Sequence, residues 1–132
     1  MTSRQFKLLS ALLLSSNLAF GATKTVDGGA GTDSLTVNAG AGNDKILGGS
    51  GVDTINGGDN DDHIYGYAGA DILAGDADAD KILGGLDNDT IRGGAGNDDL
   101  RGEAGNDTIY TGAGSDTVTG GLGDDTIVID GL

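Results

Sequence analysis

From Gly28 onward the chain alternates between polar, glycine-rich stretches and single aliphatic residues that recur every nine positions. In ninefold register it reads GGAGTDSLT and then, after Val37-Asn38, AGAGNDKIL, GGSGVDTIN, GGDNDDHIY, GYAGADILA, GDADADKIL, GGLDNDTIR, GGAGNDDLR, GEAGNDTIY, TGAGSDTVT and GGLGDDTIV. Position eight is aliphatic in all eleven copies, from Leu35, Ile46 and Ile55 to Val118 and Ile127. One aliphatic flanked by two outward residues fits a three-residue strand that turns a single side chain inward. The six residues before it, rich in glycine, suit a tight turn with positive φ. A helix is excluded: no 3.6-residue period is visible, and glycine in a helix costs up to about 1 kcal/mol each. The pattern predicts an array of short strands and turns.

Residues 1–21 are of another kind. Arg4 and Lys7 form a basic start, Leu8 to Phe20 an apolar stretch interrupted only by Ser and Asn, and Ala19-Phe20-Gly21 a small-residue cleavage site. The apolar stretch is too short to span a bilayer as a helix. This segment is read as a signal peptide cut after Gly21, or less tidily after Ala22. Residues 22–27 are then a short lead-in, 28–128 the array and 129–132 a C-terminal stub. The expected destination is secreted, extracellular or at the cell surface, with the periplasm as the other address.

Composition sharpens this. The 27 glycines lack a triplet period and proline is absent, which rules out collagen. All 21 acidic residues lie at or beyond Asp27, and loss of the leader leaves five basic residues, for a net charge of −16. Such a chain repels nucleic acid and anionic membranes and attracts cations. Cysteine is absent, and two Phe, three Tyr and no Trp cannot build a large aromatic core. Eleven aliphatics are few against the entropy of ordering about a hundred residues, so another source of folding free energy is required.

Position six supplies it. It is aspartate in every copy: Asp33, Asp44, Asp53, Asp62, Asp71, Asp80, Asp89, Asp98, Asp107, Asp116 and Asp125. The repeat resembles the G-G-x-G-x-D-x-U-x unit of the RTX (repeats-in-toxin, haemolysin-type) calcium-binding family over residues 28–128. The resemblance implies an all-β fold, a right-handed parallel β-roll (a β-solenoid) with two repeats per turn. Eleven repeats then make a rod of roughly 25 Å at a strand spacing of about 4.8 Å. It also implies that Asp33, Asp53, Asp71, Asp89, Asp107 and Asp125 stack along one edge and the other five along the opposite edge. Neighbouring carboxylates repel by roughly 1–3 kcal/mol per pair, and a hard divalent cation turns that repulsion into bridging. Calcium, which takes six to eight oxygens, suits the site better than magnesium. By resemblance the backbone carbonyls of Gly29, Gly31, Gly40, Gly42, Gly49, Gly51, Gly94, Gly96, Gly105, Gly112, Gly114, Gly121 and Gly123 join the aspartates. Several Ca2+ ions are expected, at most about nine between loops, and without them a charged coil.

The repeat has departures. Asn60, Asp78 and Asp87 replace the glycine of position four, Tyr67, Asp76 and Glu103 that of position two, and Ala39 and Thr111 that of position one. Most fall within residues 57–92, where a carbonyl ligand is kept only if the backbone accommodates the replacement. An N-terminal leader and the lack of a polar C-terminal cap also differ from the family, leaving capping by a partner, self-association or a fragment as readings.

No enzyme is expected. His63, the single histidine, stands alone on a strand face, and the paired carboxylates are taken up as ligands. The functional reading is an exported calcium-binding structural or interaction module. An accessory fragment of a larger RTX enzyme, toxin or adhesin is the alternative. A weaker one is an ice-binding roll, from the outward row Ser34, Thr54, Ile72, Thr90, Thr108 and Thr126. On the opposite face Leu47, Tyr65 and Leu83 should touch, bordered by Lys45, Lys81 and Arg101, as a strip for an extracellular protein, an anionic polysaccharide or a second copy. Neither nucleic-acid binding nor membrane insertion is expected.

Overall fold

The computed structural model describes residues 4–7, by their backbone alone, and residues 21–131. Most of the segment read as a leader therefore lies outside the described residues. The chain opens with β1 (Arg4–Lys7) and β2 (Lys24–Asp27). Ten six-residue strands follow: β3 (Thr36–Ala41), β4 (Lys45–Ser50), β5 (Thr54–Asp59), β6 (His63–Ala68), β7 (Ile72–Ala77), β8 (Lys81–Leu86), β9 (Thr90–Ala95), β10 (Asp99–Ala104), β11 (Thr108–Ala113) and β12 (Thr117–Leu122). The short β13 (Thr126–Val128) is last.

Two parallel sheets result, ordered β1-β2-β4-β6-β8-β10-β12 and β3-β5-β7-β9-β11-β13. From β2 on, consecutive strands fall in opposite sheets, so two nonapeptides complete one turn of a β-roll. Register holds the aliphatic of each repeat against its counterpart eighteen residues on: Ile46 on Ile64, Ile64 on Ile82, Ile82 on Leu100. These residues, with Val26, Val37, Ile55, Leu73, Ile91 and Ile109, form the thin core between the sheets. A slip of one residue would turn the whole set outward, which is what fixes the register.

Two features differ from the sequence reading. The strands run for six residues rather than three, from position seven through position three of the next repeat, with inward alternation at positions six, eight and one. Glycine at position one faces inward as part of the strand. The first repeat is also shifted. Thr36 pairs with Thr54 and Val37 with Ile55, so Val37, not Leu35, takes the position-eight place in its sheet. The two extra residues lie in the turn before Asp33 rather than at Val37-Asn38. This register buries Leu35, Val37 and Ala39 together, whereas the other would leave Val37 outside the core. β2 lies in the stretch read as a lead-in; its Val26 is fully buried against Ile46.

Candidate metal centre

Position six precedes each strand, and its backbone is locked on both sides. The Asp53 carbonyl accepts from the Ile72 N–H and the Asp62 carbonyl from the Lys81 N–H, each at 2.8 Å. The Asp53 N–H donates to Oδ1 of Asp71, and the Asp71 N–H to Oδ1 of Asp89, both at 2.8 Å. The same link joins Asp44 to Asp62, Asp62 to Asp80, Asp80 to Asp98 and Asp89 to Asp107. Asp98 reaches Asp116 and Asp107 reaches Asp125 at 3.0 Å, closing the top of each column. The roll thus carries two ladders of aspartates, one along each edge.

Asp33 is not in them. Leu35 occupies the position below Asp53 and donates its N–H to Asp53 Oδ1 at 2.8 Å. Asp33 precedes Asp53 by twenty residues, while strand register demands eighteen. It is exposed, and its main-chain carbonyl sits where position four of the next turn, Gly51, comes down on it. Gly31, read as a ligand carbonyl of the same loop, lies in the extended turn and lacks the positive φ of its supposed equivalents Gly51, Gly96 and Gly105. Each column therefore holds five aspartates and four intervals.

One carboxylate oxygen per rung is satisfied by the ladder and the other is not. Oδ2 of Asp53, Asp62, Asp71, Asp80, Asp89, Asp98 and Asp107 is buried without a hydrogen-bond partner. Burial without a donor disfavours the charged form. Desolvation pushes Asp62, Asp80 and Asp89 up to about 7 and Asp71 to about 6, partly offset by the N–H each accepts and reinforced by the neighbouring carboxylates. Asp53, Asp98 and Asp107 are raised for the same leading reason. A column of buried carboxylates, each with one unmatched oxygen, offers hard oxygen donors of the kind a divalent cation could engage.

In the lowest interval of one column the chain supplies a cation of its own. Lys24 pairs in register with Asp44, and its N–H donates to Asp44 Oδ1 at 2.7 Å as an aspartate at that rung would. Its ammonium lies 3.2 Å from Asp44 Oδ2 and donates to the carbonyls of Ala22 and Ala41 at 2.8 and 2.7 Å. One carboxylate and two turn carbonyls thus converge on one positive charge. All are oxygen donors of the type calcium takes. Among the described residues no three His, Cys, Asp or Glu side chains come together. The sequence reading missed Lys24; the signal was its distance of twenty residues from Asp44, the same first-turn offset that separates Asp33 from Asp53.

The substituted glycines keep their backbone. Asn60, Asp78 and Asp87 take φ of 81°, 76° and 78°, and Tyr67, Asp76 and Glu103 lie between 77° and 84°. The sheet hydrogen bonds around these turns compensate the left-handed conformation, which Asn and Asp tolerate best.

The family model for the RTX calcium-binding nonapeptide repeat matches residues 27–64, 47–82, 56–91, 65–100 and 92–127. The chain belongs to the RTX calcium-binding repeat family. It is a calcium-binding β-roll, and the family is one of non-catalytic repeats. No curated protein and no solved structure matches it. Among the described residues no helix is long and apolar enough to cross a membrane.

Proposed function

We propose that this RTX chain is an exported structural or interaction module that folds as calcium enters the intervals between its aspartates. The observation that carries the reading is the run of buried, unmatched Oδ2 atoms up both edges. The ligands we assign are Asp44, Asp53, Asp62, Asp71, Asp80, Asp89, Asp98, Asp107, Asp116 and Asp125, with turn carbonyls such as those of Gly42, Gly51, Gly96 and Gly105. Four intervals in each column allow up to eight ions. Seven buried carboxylates without a counter-charge oppose a stable metal-free roll at neutral pH, so binding and folding are coupled. Far-UV circular dichroism should show a disordered chain without calcium and cooperative β structure with it, at about 10⁻⁴–10⁻³ M as for extracellular modules. Magnesium should be much less effective. An unchanged spectrum up to about 10 mM calcium, well above that range, would refute the reading.

Export is supported by the basic and apolar character of residues 1–21. A cut after Gly21 keeps the Ala22 carbonyl that holds Lys24, whereas a cut after Ala22 removes it. Either cut would take away β1 and leave β2 as the edge of its sheet.

The proposed docking strip lies on the face of β4, β6 and β8. Leu47, Tyr65 and Leu83 are adjacent in register, Tyr65 stacks on Tyr67 with centroids 6.0 Å apart, and Lys45 sits 5.9 Å over the Tyr65 ring. Tyr67 and Leu86 extend the apolar area and are more than half exposed. An anionic polysaccharide, an acidic extracellular protein or a second roll fits this basic-edged strip. Replacing Leu47, Tyr65 and Leu83 by threonine should leave the calcium midpoint nearly unchanged and abolish self-association or polysaccharide retention in calcium. A variant that sediments and elutes like the parent would reduce the strip to a solvated face. The ice-binding reading is less well supported. The register completes a threonine row of Thr36, Thr54, Thr90, Thr108 and Thr126, but Ile72 interrupts it. Beside it Arg92 stands over Tyr110 at 4.3 Å, so the face is not flat.

A further inference from the structure

Lys24 is buried to 1% exposure, whereas Lys45 and Lys81, the other lysines with described side chains, point outward. A lysine is almost never buried unless its charge is matched, because desolvating an ammonium costs several kcal/mol. Here the match is complete in kind: the Asp44 carboxylate at 3.2 Å and two main-chain carbonyls at 2.7 and 2.8 Å. Its backbone occupies the rung below Asp44, and its N–H makes the same bond to Oδ1 that Asp44 makes to Asp62. Only the side chain differs: where every higher rung of this column bears a carboxylate, this one bears a cation.

We infer that the Lys24 ammonium is a tethered cation filling the lowest position of the Lys24–Asp44–Asp62 column, so that this end of the roll closes without calcium. The inference rests on the calcium-binding reading above and concerns this chain's own residue. The neighbouring column ends differently, on the apolar Leu35 below Asp53, which offers no carboxylate and no charge. Both columns therefore stop at their N-terminal end by a side chain rather than an ion. Lys24 pairs with Asp44, whose carboxyl stays raised by burial while the lysine's contact opposes the rise. The first turn is thereby spared the like-charge repulsion that opposes every turn above it, which makes it the place where ordering can begin. The two carbonyls it uses also sit at repeat positions four and three, Ala22 in the lower turn and Ala41 in the upper. By register, the next interval of the column presents Gly42 and Asp59 at those places beside Asp62.

The test counts ions on the full chain. Bound calcium per chain is measured by equilibrium dialysis and atomic emission for the parent, Lys24→Asp and Lys24→Met, and the folding midpoint by circular dichroism. Lys24→Asp restores the residue that every higher rung carries, and it should bind one more calcium per chain than the parent. Lys24→Met keeps the bulk without the charge. It should bind the parental number and fold at a calcium concentration raised by about threefold or more, since Asp44 is left buried and unpaired. Lys24→Asp folding to the parental spectrum with no extra ion would overturn the inference. Should that variant not fold, an unshifted midpoint for Lys24→Met would overturn it equally. A parent that binds no calcium would instead defeat the functional reading and leave the Lys24–Asp44 pair as an ordinary buried ion pair.

Discussion

Gly84→Ala should raise the calcium concentration needed for folding by about tenfold or more, while Gly31→Ala should leave it within about twofold. Gly84 stands at position one, where the strand turns its side-chain direction inward onto the carboxylate of the same repeat. A Cβ there would collide with Asp89 Oδ2, come to 3.0 Å from Asp89 Cγ, and lie 2.8 Å from the Gly102 carbonyl of the next turn. Asp89 cannot swing aside without giving up the Asp71 N–H it accepts at 2.8 Å, and then its buried charge loses its one donor. The same collision awaits at Gly57, Gly66, Gly75, Gly93 and Gly102. Gly31 stands at position four of the first repeat, and its Cβ would meet nothing closer than Asp33 Oδ2 at 3.3 Å, an exposed side chain able to yield. Calcium titration of both variants by circular dichroism decides the matter. If Gly31→Ala were the damaging change, Asp33 would belong to the ladder after all. If neither change mattered, the carboxylates would not lie beneath position one.

The repeat made the architecture legible before any coordinates: one inward aliphatic per nine residues, parallel stacking at eighteen and a column of aspartates on each edge all follow from counting. Three things were not legible, and each has a physical reason. Register in the first turn could not be counted, because Leu35 and Val37 are both aliphatic and either could head the sheet. Burial of Val37 and Ala39 settles it, and that is a property of the assembled roll. Strand length was underestimated because glycine at positions one and two reads as turn, although a residue without Cβ can also continue a strand where a side chain would not fit. The backbone of the substituted turns could not be read either. Despite the substitutions in residues 57–92, Asp62, Asp71, Asp80 and Asp89 are buried like the other interior rungs of the ladders. Positions two and four accept replacement where the residue takes a φ between 76° and 84°, although a Cβ on glycines retained there, such as Gly58 and Gly85, would run into the carbonyl of the turn below. Position one does not, and it departs from glycine only at Ala39 and Thr111. These precede Asp44 and Asp116, the two end rungs of one column, where a carboxylate is drawn to Lys24 or has no further aspartate above it among the described residues.

Calcium binding should weaken steeply as pH falls from about 7.5 to about 5.5, while the metal-free chain should gain structure over the same interval. Both follow from carboxyl groups that desolvation, above all, holds near 6 to 7 in the folded roll against 3.8 in the unfolded chain. Between those two values the folded, metal-free roll carries more protons than the unfolded chain. Its stability is therefore greatest below 3.8 and is lost as pH rises through 6 to 7, where the buried rungs ionise and repel. Calcium acts in the opposite sense. It needs ionised ligands, and below about 7 it must displace a proton from each carboxyl group it engages. The calcium midpoint should rise by about tenfold per pH unit for each proton displaced per ion, and level off above pH 7. Ordinary exposed carboxylates would already be ionised throughout this range and would give a flat profile. Titrations by circular dichroism at half-unit steps, with calcium and with chelator, should therefore show two slopes of opposite sign meeting near neutrality. A midpoint that stays constant down to about pH 5.5 would place the aspartates in water rather than in the ladder. A metal-free chain equally disordered at both ends of the range would show that protonation alone cannot relieve the column of its charge.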